Sequence, residues 1–196
     1  MTHHSLETLL IDSSVAVRSA MMQTLVLPEL RNLSTNCYGF PIDLSCCGVI
    51  AQQNNFPELR VIAISGDVPV RWSNTNPVPS LRAHMPFLGP AIQNLANLRV
   101  LTFRHINFEG GRWLPDLGNS CPHLRWLLFI KCTGYTIASI RSLVETRILR
   151  DGINPLEILS IEPHSTEAWE SRLQEGDADW FRECLTLMYE DDCWYI

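Results

Sequence analysis

The segment CPHLRWLLFIKC, from Cys121 to Cys132, contains residue types that could support two kinds of chemistry. Thiolates and imidazoles are good zinc ligands, so Cys121, His123 and Cys132 could contribute to a metal site. A cysteine activated by a neighbouring base could instead act as a nucleophile. Structural zinc usually takes four ligands in two closely spaced pairs, and no second pair follows in the sequence. We therefore expect no metal or other cofactor, and we expect both cysteines to be buried structural residues.

Motifs that would indicate catalysis do not occur in the rest of the sequence. It contains no G-x-S-x-G elbow, phosphate-binding glycine loop, H-E-x-x-H pair or dinucleotide fingerprint. The turn Glu109-Gly110-Gly111 is too short to bind phosphate and is more typical of a connecting loop. We expect no catalytic residue. An enzyme with a cysteine nucleophile is the third hypothesis, after a non-catalytic interaction module and a structural scaffold or receptor fragment.

The composition predicts a folded protein without a membrane span. Of the 196 residues, 46% are hydrophobic and 18% are charged. No apolar run reaches the roughly 18 residues that a membrane helix needs. The seven cysteines are irregularly spaced, unlike those of a secreted disulfide framework. We therefore expect an intracellular protein, in the cytoplasm or the nucleus, that does not interact with membranes.

Charge is divided unevenly along the sequence. The net charge is −6, but residues 157–196 contain 2 basic side chains against 11 acidic ones. General nucleic-acid binding needs a concentrated basic surface, so we expect no nucleic-acid partner. The acidic end instead predicts a solvated C-terminal cap.

A six-residue pattern, leucine followed by apolar residues at its fourth and sixth positions, recurs along the chain. Its copies are LETLLI from Leu6, LRNLST from Leu30, LRVIAI from Leu59, LRVLTF from Leu98, LRWLLF from Leu124 and LEILSI from Leu156. Only the second copy departs from the pattern, with Thr35 at position 6. Each copy predicts a β-strand. The segments predicted to lie on the opposite side are 15–27, 41–53, 88–96, 113–121 and 136–152.

This repetition predicts an α/β fold, an irregular leucine-rich-repeat solenoid of about six repeats. A curved parallel sheet would have helices on its convex side, and each copy would bury its leucines against its neighbours. We expect residues 1–174 to form the array and residues 175–196 to form an acidic capping helix packed on it. The helix would span residues 175–193, and its apolar face would contain Trp180, Phe181, Cys184, Leu185, Leu187 and Met188.

Alternation along each strand predicts a binding surface. Side chains at positions 4 and 6 should face the core, whereas those at positions 3, 5 and 7 should lie on the concave face. The early copies place polar residues there and the fifth and sixth place apolar ones. Trp126, Leu128, Ile130 and Ile158 therefore predict an exposed apolar patch for a protein or peptide ligand. Cover by the C-terminal tail is the alternative.

Arginine recurs at position 2, and this predicts a basic row along one rim of the sheet. The row comprises Arg31, Arg60, Arg99 and Arg125, between Glu7 and Glu157. Such a row could pair with carboxylates or phosphates of a ligand, or the side chains could pair with acidic neighbours in the chain. We include Arg99, Arg104 and Arg125 among the candidate partner-binding residues.

Residues 121–143, CPHLRWLLFIKCTGYTIASIRSL, resemble the leucine-rich-repeat region of F-box proteins, in the cysteine-containing subtype and its divergent fungal versions. The resemblance lies in Cys-Pro, then L-x-x-L-x-L-x-x-C, then a hydroxyl residue before a leucine-bearing helix. It implies a non-catalytic module that recognises substrates for a ubiquitin ligase. No segment resembles the F-box itself, so the ligase adaptor would be a partner only through an F-box outside this chain. A scaffold or receptor fragment unrelated to ubiquitin is the alternative.

Overall fold

The computed structural model describes residues 6–14, 24–38, 56–66, 95–108, 114–162, 176–185 and 187–189. Within them a single sheet contains β1 (Thr8–Ser14), β2 (Asn32–Tyr38), β3 (Val61–Ser65), β4 (Val100–Arg104), β5 (Trp126–Ile130), β6 (Ile158–Glu162) and β7 (Leu187–Tyr189). All seven strands are parallel and follow chain order. The helices of the described part are α1 (Leu114–Gly118), α2 (Ile137–Leu149) and α3 (Asp177–Cys184). The predicted α/β class and parallel sheet are confirmed.

Strands β1 to β6 coincide with the six copies of the sequence pattern, and they pair position for position. Leu9 of β1 aligns with Leu33 of β2, and Leu33 aligns with Ile62 of β3. The same position continues through Leu101, Leu127 and Leu159 in the next three strands. The sequence pattern therefore fixes the register, because a shift by one residue would turn every apolar side chain to the other face.

The core is built from positions 1, 4 and 6 of the copies together with the apolar side of the helices. Leu30, Leu59, Leu98, Leu124 and Leu156 are buried at position 1. At position 6, the rings of Phe103 and Phe129 stack with their centroids 5.8 Å apart. Phe108 contacts both rings edge-on. These side chains form one cluster with the buried residues of α1 and α2.

In four of the copies, a buried residue lies three positions before the first leucine, in the turn that leads into the strand. These residues are Leu27, Phe56, Leu95 and Cys121. In each case the backbone N–H of the leucine donates to the carbonyl of this buried residue, at 2.9–3.2 Å. The hydrogen bond closes a tight turn that brings the chain into the sheet. Cys121 therefore occupies a position at which the other copies have leucine or phenylalanine.

Helix α2 lies within residues 136–152, one of the segments that the sequence predicts to lie opposite the strands. Thr136 caps its first turn by accepting a hydrogen bond from the backbone N–H of Ser139, and the Ser139 hydroxyl accepts one from the Thr136 N–H. This reciprocal pair stabilises the helix start. Spacing in the sequence predicts that the buried stripe of this helix consists of Ile137, Ile140, Leu143, Val144, Ile148 and Leu149. That prediction is wrong at its end, because Ile148 and Leu149 are 45% and 83% exposed. Arg147 is buried in their place.

Helix α1 lies within the predicted segment 113–121 and packs closely on α2. A Cβ atom on Gly118 would lie 2.9 Å from the Leu143 carbonyl oxygen, so the contact requires glycine. The predicted segments 15–27 and 88–96 lie largely outside the described residues, and 41–53 lies wholly outside them. No helix in the described ranges is long and apolar enough to cross a membrane.

The predicted C-terminal helix is shorter than expected. Helix α3 ends at Cys184, and residues 187–189 form β7 instead of continuing the helix. Leu187 aligns with Ile158, so Leu185 corresponds to position 1 of a further, partial copy. Pairing with the backbone of β6 satisfies hydrogen bonds that the edge strand would otherwise expose. Phe181 and Leu185 are buried beside it.

Two contacts of Arg141 attach α3 to α2. The Arg141 guanidinium lies 4.5 Å from the centroid of the Trp180 ring, a cation–π distance. Its Nη1 atom lies 3.4 Å from Asp177 Oδ1. The predicted packing of Trp180 and Phe181 toward the array is consistent with these contacts, since Trp180 packs against the core and Phe181 lies within it.

Candidate protein-interaction surface

The face of the sheet opposite the core consists of positions 3, 5 and 7 of β1 to β6, which we call the outer face. Its residues are Thr8, Leu10 and Asp12; Asn32, Ser34 and Asn36; Val61, Ala63 and Ser65; Val100, Thr102 and Arg104; Trp126, Leu128 and Ile130; and Ile158, Ser160 and Glu162. All are exposed or half-buried except Thr102, which was expected to be exposed. Thr102 is 6% exposed and lies between Ala63 and Leu128 in the central row of the outer face.

The apolar part of the outer face lies on β4, β5 and β6. Val100, Trp126 and Ile158 are aligned across these three strands, and adjacent strands in a sheet lie about 4.8 Å apart. Leu128 and Ile130 continue the apolar surface along β5. We call these five residues the apolar patch. Trp126 is 39% exposed, and the other four are half-buried.

The apolar patch includes every apolar residue predicted for partner binding, together with Val100. That residue was predicted to lie on the concave face but not to bind. Register explains its inclusion, since Val100 lies directly beside Trp126. Leu10, by contrast, lies on β1 at the other end of the outer face and is 63% exposed. The structure therefore separates a clustered apolar surface from an isolated apolar side chain.

The arginines at position 2 form the predicted row along the amino-terminal ends of the strands. The backbone N–H of each arginine donates to the carbonyl of the position-2 residue in the preceding copy, at 2.8–2.9 Å. Most of the side chains pair with nearby carboxylates. Arg31 lies 3.8 Å from Glu7, and Arg60 lies 3.2 Å from Glu58, measured between the closest nitrogen and oxygen atoms.

Arg125, a predicted partner-binding residue, is also paired within the chain. Its Nη1 atom lies 2.9 Å from Glu157 Oε1. Exposed pairs of this kind contribute only about 0.2–1 kcal/mol, so a ligand could displace Glu157. Arg99 is exposed and has no ion-pair partner in the described part of the chain. Arg104 is half-buried at the end of β4, and its Nε atom lacks a hydrogen-bond acceptor among the described residues.

The cysteines of the segment CPHLRWLLFIKC lie in the core. Burial raises the pKa of the Cys121 thiol to about 12, and burial likewise raises the pKa of the Cys132 thiol to about 12. The Cys132 Sγ atom donates to the Phe103 carbonyl at 3.3 Å. Both groups are therefore protonated thiols at neutral pH, unlike the low-pKa thiolates of reactive cysteines.

The histidine of that segment does not lie with the two buried cysteines. His123 is exposed in the turn before β5. Across the described ranges, no group of three or more histidine, cysteine, aspartate or glutamate side chains is placed to hold a metal ion. The segment thus contributes a strand and its two flanking turns, with the cysteines as packing residues.

Arg147 is a buried residue that sequence reasoning did not identify. It is 1% exposed, and its guanidinium donates to the carbonyls of Ser120, Cys121, Leu124 and Asn154, at 2.8–3.2 Å. Burial lowers its pKa to about 10, so the group remains charged at neutral pH. The signal was its spacing, because Arg147 falls three and four residues after Val144 and Leu143 on the buried face of α2.

The contacts of Arg147 position the strand that carries Trp126. Three of its four carbonyl partners lie in or next to the turn that leads into β5, and the fourth lies in the turn before β6. A planar guanidinium has five N–H donors in a fixed arrangement, which suits several carbonyls converging from different segments. Arg147 therefore holds together the two strands that present Trp126 and Ile158.

Comparison with known proteins adds no relative. No protein-family model matches the chain, and no curated protein sequence matches it. Functional inference for this chain therefore depends on its residues and their geometry.

Proposed function

We propose that the chain is a leucine-rich-repeat solenoid that binds a protein or peptide ligand on its outer face and has no catalytic role. The proposal is supported by the regular relation between sequence and sheet, with one parallel strand for each copy of the pattern. Stacking of similar units is how such arrays bury apolar positions that a single unit leaves exposed.

The observation that carries the binding role is the apolar patch. Trp126 is 39% exposed at the centre of a row of apolar neighbours. Contiguous exposed apolar surface costs free energy in water and often marks a binding site, and tryptophan is a frequent energetic centre of interfaces. A ligand that covered the patch would bury the tryptophan together with Val100 and Ile158.

We further propose that this module is the substrate-recognition part of an F-box-type ubiquitin ligase. The supporting feature is the unit from Cys121 to Cys132, in which both cysteines are packed in the core around β5. The free thiols of Cys121, Cys132 and Cys184 support an intracellular location, in the cytoplasm or the nucleus. A scaffold or receptor fragment unrelated to ubiquitin is the second candidate, because it would use the same patch.

Substitution at Trp126 tests the binding role. Trp126→Ala should reduce recovery of a ligand that co-purifies with the protein, while Leu10→Ala, the matched control, should leave recovery unchanged. Both residues are exposed on the outer face, but only Trp126 belongs to the apolar patch. Circular dichroism must show that both variants are folded. Equal recovery by Trp126→Ala and the wild-type protein would contradict the proposal.

Purification of the full-length gene product tests the ubiquitin role separately. Co-purification of the ligase adaptor would support the F-box assignment. Ligand binding that depends on Trp126 without any adaptor would favour the scaffold or receptor. A thiol-directed activity probe addresses the enzyme alternative, since selective labelling of one cysteine would reinstate a nucleophile. Neither Cys121 nor Cys132 should react in the folded protein, because both thiols are buried and protonated.

A further inference from the structure

The charges at the ends of β5 and β6 neutralise one another. At the amino-terminal ends, Arg125 Nη1 lies 2.9 Å from Glu157 Oε1. At the carboxyl ends, Lys131 Nζ lies 3.6 Å from Glu162 Oε1. Arg125 immediately precedes β5 and Lys131 immediately follows it. Their partners Glu157 and Glu162 lie at the two ends of β6. The charged side chains at the ends of β5 and β6 are therefore already neutralised within the chain, without a charged ligand.

The two ends of β4 are different. Arg99 immediately precedes the strand and Arg104 ends it. Neither has an ion-pair partner in the part of the chain that the structure describes. Arg60, which precedes the adjacent strand β3, is already paired with Glu58. Two positive charges therefore remain without a carboxylate at opposite ends of one strand.

Arg104 also has a hydrogen-bond donor that is poorly satisfied. Its Nε atom is buried and finds no acceptor among the described residues. A ligand that pairs with this guanidinium therefore has no acceptor among the described residues to displace from Nε. A carboxylate suits this position because it can accept two parallel hydrogen bonds from a guanidinium. Its negative charge would also offset that of the arginine.

The spacing of the two arginines defines the shape of the ligand. Arg104 follows Arg99 by five steps along the extended chain, which places their Cα atoms about 16 Å apart at about 3.3 Å per residue. The apolar patch begins at Val100 on this strand and continues to Trp126 on the next. An extended peptide covers about 16 Å with five residues, whereas a helix would need about eleven.

We infer that the outer face binds an extended acidic peptide segment, in which two carboxylates about 16 Å apart flank a large apolar side chain. The carboxylates pair with Arg99 and Arg104, and the apolar side chain packs on Trp126. This inference rests on the proposed function, because it specifies the ligand of the same surface. Charge complementarity makes the occupant acidic rather than merely apolar.

Selection from a random library of phage-displayed dodecapeptides tests the ligand chemistry. The wild-type chain is the bait, and sequences that also bind Trp126→Ala are removed. The retained sequences should contain paired aspartates or glutamates, separated by four to six residues, around an aromatic or large aliphatic side chain. One retained peptide is then synthesised with its two acidic residues intact and with both replaced by glutamine or asparagine.

Affinity measurements by fluorescence anisotropy assign the carboxylates to their partners. Arg99→Gln and Arg104→Gln should each weaken binding of the acidic peptide about threefold, and the double variant about tenfold, as expected for partly exposed pairs. Arg31→Gln is the matched control, because it removes the same charge at a position-2 residue that already pairs with Glu7. It should leave affinity unchanged.

The possible outcomes separate the inference from the proposed function. Trp126-dependent peptides without paired acidic residues, or with equal affinity for the double variant, would overturn the acidic ligand and leave the binding role intact. A library that yields no Trp126-dependent sequence would count against both. If Arg104→Gln does not fold, Arg99→Gln and the neutralised peptide decide the question, since both must weaken binding for the inference to stand.

Discussion

The Arg147 guanidinium donates a hydrogen bond to the Leu124 carbonyl at 2.9 Å and thereby attaches α2 to the residue that begins the β5 copy. Leu124 lies two residues before Trp126, so this contact acts directly on the chain that forms the apolar patch. A buried cation that serves only backbone carbonyls is costly to desolvate, and this cost appears in its lowered pKa. The arrangement persists because its loss would remove a charged donor from four backbone carbonyls.

Replacement of Arg147 should therefore destabilise the fold strongly. Arg147→Met keeps much of the side-chain volume but removes the guanidinium donor from the carbonyls of Ser120, Leu124 and Asn154. We expect the free energy of unfolding, measured by urea denaturation, to fall by about 3 kcal/mol. Arg182→Met is the control at an exposed helix position, where the change should be within about 0.5 kcal/mol. A similarly small effect at Arg147 would show that the carbonyls find other donors.

Truncation of two adjacent residues of β5 should lower stability by very different amounts. Leu127 is fully buried, whereas Trp126 is partly exposed on the outer face. Leu127→Ala should lower the free energy of unfolding by about 2–5 kcal/mol because it leaves a cavity in the core. Trp126→Ala should cost much less, about 1 kcal/mol, since this side chain is already 39% exposed in the folded protein. Thermal unfolding of both variants measures the difference, and a larger loss at Trp126 would assign that residue to the core.

The sheet was predictable from the sequence because one kind of information, the spacing of apolar residues, determines both strand identity and register. Leu101 and Phe103 illustrate this, since their separation by two residues turns both toward the core. Prediction failed where a local pattern competes with tertiary pairing. Leu187 and Met188 fit the apolar face of a helix, but the backbone of β6 recruits them into a strand.

The candidate site was only partly predictable for a related reason. Alternation gave the correct face for Trp126, Leu128 and Ile130, because it is a property of the strand alone. Pairing of charged side chains depends instead on rotamers and neighbours, which no spacing specifies. Arg125 and Arg99 occupy the same position in adjacent copies, yet only Arg125 has a carboxylate partner in the described structure. The burial of Arg147 was hidden because arginine on a helix is usually solvated.

The thiols of Cys121 and Cys132 should make stability depend on pH in the alkaline range. Burial raises each pKa from 9.0 in the unfolded chain to about 12 in the folded protein. The folded state therefore binds more protons between pH 9 and pH 12, so stability is fully present below pH 9 and falls as pH rises. Each thiol should contribute a loss of about 1 kcal/mol between pH 8 and pH 10.

Urea denaturation at pH 8, 9 and 10 measures this dependence. The wild-type protein and the Cys121→Ala/Cys132→Ala variant share every other titrating group, so the difference in their slopes isolates the two thiols. The variant will be less stable at pH 8 because two core side chains are truncated, but its stability should decline less steeply. Parallel pH profiles would mean that the thiols ionise in the folded protein as readily as in the unfolded chain.

Thr35 offers a stabilising substitution at the one departure from the sequence pattern. It occupies position 6 of β2, where the other copies have isoleucine or phenylalanine, and its side chain is buried. Its hydroxyl has no hydrogen-bond partner among the described residues, so it loses its interaction with water on folding. Thr35→Val keeps the shape and removes the hydroxyl, and the free energy of unfolding should rise by about 1 kcal/mol.

Thr133→Val, at an exposed position, controls for the general effect of this exchange and should change stability little. Chemical denaturation of the two variants compares them directly, and a loss of stability at Thr35 would reveal an acceptor or donor for its hydroxyl in the folded protein.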